Sequence, residues 1–221
     1  MFGGPDRFSE DMSRIISLSD GVFAFALTLL VLSLVVPSIQ GTTNQAVNGP
    51  LGWALNHEVS AFVGYAFAFV MISVWWMNHH RFFRYIVRHD DALIWMNLAL
   101  LLEVAVMPFV LKVYTTYDFA QYGVILFAAM QGVAGLTLNV MWRYAAAAKL
   151  LRPDLDPAII RFHTIRGLLT PALFAASIAV SFVSLDLAET IWIGVFVTQR
   201  YTARAVFTDR ATGQREEELG S

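Results

Sequence analysis

The 221-residue chain contains no cysteine. That excludes disulfide frameworks, thiolate metal sites and cysteine nucleophiles. Charge is scarce as well: Asp, Glu, Lys and Arg make up 14% of the residues, against about 25% in soluble domains. The net charge of −2 leaves no overall basic footprint for a nucleic acid, so none is expected as a partner. Neither a Gly-x-Ser-x-Gly nor a His-Glu-x-x-His segment occurs, so these hydrolase signatures are missing. What is abundant is apolar. Hydrophobic residues form 57% of the chain, with 17 Phe and 6 Trp, a composition at odds with disorder. At about 20 apolar residues per crossing, there is room for roughly six transmembrane helices.

The few charges are unevenly placed. None lies between Asp20 and Glu58, and other uncharged stretches cover 59–80, 92–102, 104–111, 119–142 and 167–185. They predict spans near 15–36, 53–78, 92–113, 119–143, 164–184 and 187–207. The expected fold is an all-α integral membrane protein with six transmembrane helices in one domain, residues 1–207, followed by a polar cytoplasmic tail, 208–221. The sixth span has the shortest uncharged stretch, with Asp186, Glu189 and Arg200 near its ends, where charges reach the interface.

With this count, fourteen of the fifteen basic residues fall on one side of the bilayer, and Lys112 alone falls on the other. The positive-inside rule then places both termini of a multi-pass cell (inner) membrane protein in the cytoplasm. Without a sixth crossing, Arg200, Arg204, Arg210 and Arg215 would sit on the wrong side, so the asymmetry itself argues for six. The first span is not read as a cleaved signal peptide, because Asp6, Glu10, Asp11 and Asp20 accompany Arg7 and Arg14.

The first span has two faces. At about 100° per residue, Phe25, Thr28, Leu29 and Leu32 share one arc, while Asp20 and Phe23 fall nearly opposite. A carboxylate in this position is costly unless paired or solvated. Arg14 is six residues from Asp20, so the two cannot pair along the helix. Elsewhere, Glu103 lies mid-span, Gln131 and Asn139 share a helical face suited to interhelical hydrogen bonds, and Pro108 and Pro171 mark kinks or ends. Gly123, Gly132 and Gly135 permit close helix approach.

Arg14-x-x-x-Leu18-Ser19-Asp20, continued by Gly21 to Leu32, resembles the R-x-x-x-F-S-D first-helix motif of the lysosomal/endosomal potassium channel family and its bacterial homologues. Trp75-Trp76-Met77-Asn78-His79-His80-Arg81-Phe82 is similar to that family's W-x-x-H-H-x-x-F. The stretch from Asn97-Leu98 to Met107-Pro108-Phe109 is similar to its L-N-L…P-F. The resemblance covers roughly residues 14–115, and the second half agrees only in span count and length.

The resemblance implies a passive, potassium-preferring cation channel, not an enzyme, with no bound cofactor beyond the permeant potassium ions. It implies a pore lined by the first helix, with no re-entrant selectivity-filter loop, and the sequence indeed has no T-V-G-Y-G-like segment. Phe25, Leu29 and Leu32 would form an apolar constriction acting as gate and filter, and Thr28 would supply a hydroxyl near it. Arg14, Ser19 and Asp20 would join Trp76 and His79 or His80 in a structural polar network. Two departures stand out. Leu18 replaces the motif's Phe, and Phe25 replaces an aliphatic residue at the first constriction position. The family's animal members carry two six-helix repeats per chain. Only one first-helix motif occurs here, so four chains, a homotetramer in the lipid bilayer, would be needed to surround one pore.

Two other readings compete. A secondary transporter or proton-coupled carrier would relay protons through Asp20, Glu103 and the histidines of the second span, although no internal repeat is visible. A metal or enzyme site would draw on His79, His80, His89, Asp90 and Asp91.

Overall fold

The computed structural model describes residues 5–34, 59–117 and 120–195. It is all-α, with one isolated bridge between Ile86 and Leu151 among the described residues. Helix α1 spans Pro5–Leu29 and tightens into a 3-10 turn over Leu30–Ser33. Then follow α2 (Val59–Phe83), α3 (Asp91–Thr116), α4 (Gln121–Ala147), α5 (Pro157–Gly167) and α6 (Leu169–Ser181). A last helix, α7, opens at 185 and is described through 195. Among the described residues, five segments are long and apolar enough to cross a membrane: Glu10–Ser33, Ala61–Phe83, Asp91–Thr116, Gln121–Ala147 and Pro157–Ser181. They match the first five expected spans. The end of the first span, the start of the second, the second half of the sixth and the tail 208–221 lie outside the described residues.

Helices run past the limits that hydropathy sets. Helix α1 starts ten residues before the expected span, and α2 continues five residues beyond its expected end at 78. A helix does not stop where the bilayer does. In α2 the extra turn also buries His79 and Phe83. The fifth crossing is not one helix but two, broken at Leu168. Pro171 has no N–H to offer the carbonyl of Gly167 four residues earlier, and its ring would crowd that carbonyl. Helix α5 in turn starts early, at Pro157 in the first turn, behind Asp156, whose carboxylate accepts from the Ala158 N–H at 2.7 Å.

Helix α4 is central. It packs against α3 on one side and α6 on the other. Two glycines allow this. A Cβ on Gly123 would lie 3.1 Å from the backbone of Tyr114, and one on Gly135 would lie 3.1 Å from the Pro171 ring. Tyr114, Phe127, Phe174 and Trp192 form an aromatic core that docks α7 on the bundle. The Trp192 indole N–H donates to Ser177 Oγ at 2.9 Å, and the Tyr114 hydroxyl donates to Glu189 at 2.9 Å. At the end of the bundle rich in arginine, the 2–3 and 4–5 connections are joined. Val87 N–H donates to the Leu150 carbonyl (2.9 Å), and Arg152 N–H donates to that of Tyr85 (3.0 Å).

Asp90 links two helices at this same end. One carboxylate oxygen accepts from the Leu93 N–H at 2.9 Å, capping α3, and the other accepts from the Tyr144 hydroxyl of α4 at 2.7 Å. Partial burial raises the Asp90 carboxyl, but these hydrogen bonds outweigh that and hold it below its ordinary value. Asp90→Ala should cost about 1 kcal/mol, as lost N-caps do, while Asp90→Asn keeps the cap acceptor and should cost less. Because the folded carboxyl is depressed, its contribution is present above 3.8 and fades as pH falls through the lower folded value. Thermal unfolding in detergent tests this; an unchanged midpoint in Asp90→Ala would exclude the cap as a source of stability.

Candidate functional site

Helix α1 lies at the edge of the bundle. Among the described residues its packing partners are α2 and α3. One face is therefore buried and the other is not. Ser19, Phe23, Ala26 and Leu30 are buried, whereas Phe25 is 65% and Leu32 70% exposed. Thr28 is exposed and Leu29 half-buried. Three of the four residues of the expected arc thus stand away from the subunit core, and Leu29 lies at its margin.

The 3-10 turn affects this row. Residues three apart eclipse one another in such a turn. Leu32 accordingly stacks above Leu29 on the outer side, and Ser33 above Leu30 on the inner side, where both are buried. Lys112 of α3 fastens the end, its ammonium donating to the Ser33 carbonyl at 3.1 Å. Lys112 is thus engaged at the last turn of the first helix, where free carbonyls favour a cation.

The Thr28 hydroxyl donates to the Phe25 carbonyl at 2.8 Å, a bond common for Thr in membrane helices. Donation commits the proton, not the oxygen lone pairs. The oxygen stays on the exposed face, able to accept or to meet a cation.

The opposite face holds a chain of polar groups buried between α1, α2 and α3. The Asn97 amide nitrogen donates to Ser19 Oγ at 3.0 Å, and its oxygen lies 2.8 Å from His79 Nε2. The Ser19 hydroxyl in turn donates to the Ile15 carbonyl at 2.9 Å. Ser19, His79 and Asn97 are each at most 1% exposed, so every bond in the chain replaces one that water cannot supply. The His79 ring is packed by Phe23 at 5.5 Å and Phe83 at 4.5 Å between centroids. Beside this chain, the Trp76 indole donates to Asp20 Oδ1 at 2.7 Å and stacks on His80 at 5.6 Å.

Five of the six expected network residues are brought together. His79 is the hydrogen-bonding member of the pair, and His80 joins through its stack on Trp76. Arg14 is not: it is exposed and sits about 120° around the helix from Asp20. Asn97 is the residue that sequence reasoning passed over. It was visible only as part of a motif, although an Asn in an apolar span is itself a sign of an interhelical bond.

Two further intramembrane polar groups have partners inside the bundle. Thr137 donates to Glu103 at 2.8 Å, and the Asn139 amide donates to the Thr164 carbonyl at 2.8 Å. Gln131 is buried with no hydrogen-bond partner among the described residues. Of the five residues considered for a metal, His79 and Asp90 are engaged as above, and no group of three or more ligands converges among the described residues.

Residues 14–108 match the model of the family "Endosomal/lysosomal potassium channel TMEM175". A potassium channel of Streptomyces collinus is 31% identical over 183 residues, which cover 80% of this chain and 86% of that protein. A potassium channel of Chamaesiphon minutus is 31% identical over 192 residues, 85% of this chain and 90% of that protein. The crystal structure of a TMEM175 homologue from Chamaesiphon minutus, described as a lysosomal potassium-selective channel homologue, superposes with a TM-score of 0.73. It covers 88% of this chain and 98% of that one at 27% identity.

Proposed function

This chain belongs to the endosomal/lysosomal potassium channel family TMEM175, and we propose that it is itself a passive, potassium-preferring cation channel of the cell membrane. The family is one of ion channels rather than enzymes, and the chain is a multi-pass membrane protein. The pore is lined by α1 of each subunit. Phe25, Leu29 and Leu32 form an apolar constriction that resists wetting, and Thr28 offers an oxygen to a passing ion. The single observation that carries this reading is the division of α1. A row of large apolar residues and one Thr is left exposed, while every buried polar contact of the helix is made on the other face.

Four subunits complete the path. One subunit packs α1 at its rim, so α1 can surround ions only if copies face one another across an axis. Cyclic symmetry closes such an assembly. Both termini lie in the cytoplasm, following the basic residues, and no cofactor or nucleic acid is needed. The carrier reading has less support, since Glu103 is bonded to Thr137 between α3 and α4 and not placed along the exposed row of α1.

The test is a bi-ionic reversal potential on protein reconstituted in planar bilayers. With potassium on one side and sodium on the other, the potential should shift towards potassium, and current should flow without a second substrate. Strict stoichiometric counterflow would instead identify a carrier. Reversal at the sodium potential would reject the ion preference.

A further inference from the structure

Glu103 stands at mid-length in α3 and reaches α4, apart from the polar network that holds α1. Its two carboxyl oxygens differ. Oε1 accepts from the Thr137 hydroxyl of α4 at 2.8 Å. Oε2 is buried and meets no hydrogen-bond partner among the described residues.

No cation compensates this carboxyl. On α3 the sole cation is Lys112, nine residues on and so half-way round the helix, where it donates to the Ser33 carbonyl. On α4 it is Arg143, six residues from Thr137, about 120° round the helix and exposed. Helix α6, on the far side of α4, has no charged residue. The titratable groups of α2, His79 and His80, and Asp20 of α1 belong to the network already described, and Arg14 of α1 is exposed. One turn away from the carboxyl on its two helices lie Leu100, Met107, Ala134 and Met141, all buried.

Ionised, Glu103 would place charge on an oxygen that neither water nor a donor reaches, which is costly in a low-dielectric interior. Protonated, the same oxygen is a neutral hydroxyl, and the bond from Thr137 to Oε1 is kept. A neighbouring subunit has no access to supply the missing donor, because Oε2 is already enclosed within one chain.

We propose that Glu103 is a proton-binding site inside the bilayer, holding one proton on Oε2 at neutral pH as a neutral acid that joins α3 to α4. The proton is resident and not in passage, since no second titratable group stands one turn away to receive it. The consequence is electrostatic: the subunit core carries no fixed charge at mid-depth, so no acid behind α1 acts on cations. The site itself does not depend on where ions pass.

Infrared difference spectroscopy on the full-length protein in lipid vesicles, wild type against Glu103→Gln, reads the protonation state directly. Glutamine is neutral and keeps an acceptor for Thr137. The difference should show the C=O stretch of a protonated carboxyl, lost on substitution, and no carboxylate stretches. Thr137→Val removes the donor to Oε1 and should move that band to higher frequency without abolishing it. On transfer to heavy water the band should shift slowly, long after mixing is complete. Isotope-labelled glutamate in the wild type identifies the same band without any variant having to fold. Carboxylate stretches at neutral pH in place of the C=O band overturn the proposal. A band unmoved by Thr137→Val overturns the placement of the proton on Oε2, and a shift complete on mixing overturns its residence.

Discussion

Leu32→Ala should raise ion flux through reconstituted channels by about tenfold, the effect of lowering a barrier by about 1.4 kcal/mol, and should weaken the preference for potassium over sodium. In the proposed four-subunit pore, the change would remove three carbons from each of four side chains of the apolar constriction, whose bulk would keep water out. Leu29→Ala should act in the same direction, since the 3-10 turn stacks the two rings. Folding should hardly notice Leu32→Ala. The side chain is 70% exposed in the subunit, and such substitutions cost within about 0.5 kcal/mol. Its neighbour supplies the contrast. Leu30 is fully buried, so Leu30→Ala should cost about 2–5 kcal/mol of stability. Flux and thermal unfolding measured on both variants separate the two roles. If Leu32→Ala conducts as wild type does while Glu103→Gln abolishes flux, the pore does not run along α1.

The contrast between adjacent leucines shows which properties were legible in the sequence. Periodicity sorted α1 into two faces because that requires only the angle per residue. The arc of Phe25, Thr28, Leu29 and Leu32 follows from it, and Leu32 keeps its place because the 3-10 turn rotates it towards Leu29 and not away. Span positions were legible for a similar reason, as hydropathy is a local sum. Helix ends were not. Asp156-Pro157 is a strong start signal, yet the fifth span was placed at 164 because Arg161 and its neighbours mark the bilayer surface, which the helix simply crosses. Pro171 was legible as a disruption, but whether it kinks or breaks depends on how α4 packs beside it at Gly135. Pro108 sits inside an unbroken α3. The polar network was least legible. Ser19 and Asn97 are 78 residues apart, and no local pattern says that these two meet. Nor does any say that Arg14, five residues before the buried Ser19 but on another side of the helix, stays exposed.

Asn97→Leu should be the most damaging single change in the polar network. The leucine fits the volume but strands two partners at once: His79 Nε2 loses its acceptor, and Ser19 Oγ loses its donor. An unsatisfied buried group costs about 1–3 kcal/mol, although interhelical bonds inside membranes average only about 0.6 kcal/mol. The expected loss therefore lies towards the lower part of the first range, read as a lower thermal midpoint. Asp20→Ala should act separately by removing the acceptor of Trp76, and Asp20→Asn should preserve most of that bond. Arg14→Ala, exposed and outside the network, should leave subunit stability within about 0.5 kcal/mol. A double-mutant cycle decides whether Ser19 and Asn97 act as a unit. Ser19→Ala combined with Asn97→Leu should cost clearly less than the sum of the single changes, because the first loss already includes part of the second. Strict additivity would mean that the two residues stabilise the bundle independently, and the hydrogen-bonded chain would no longer explain how α1 is held at its angle to α2 and α3.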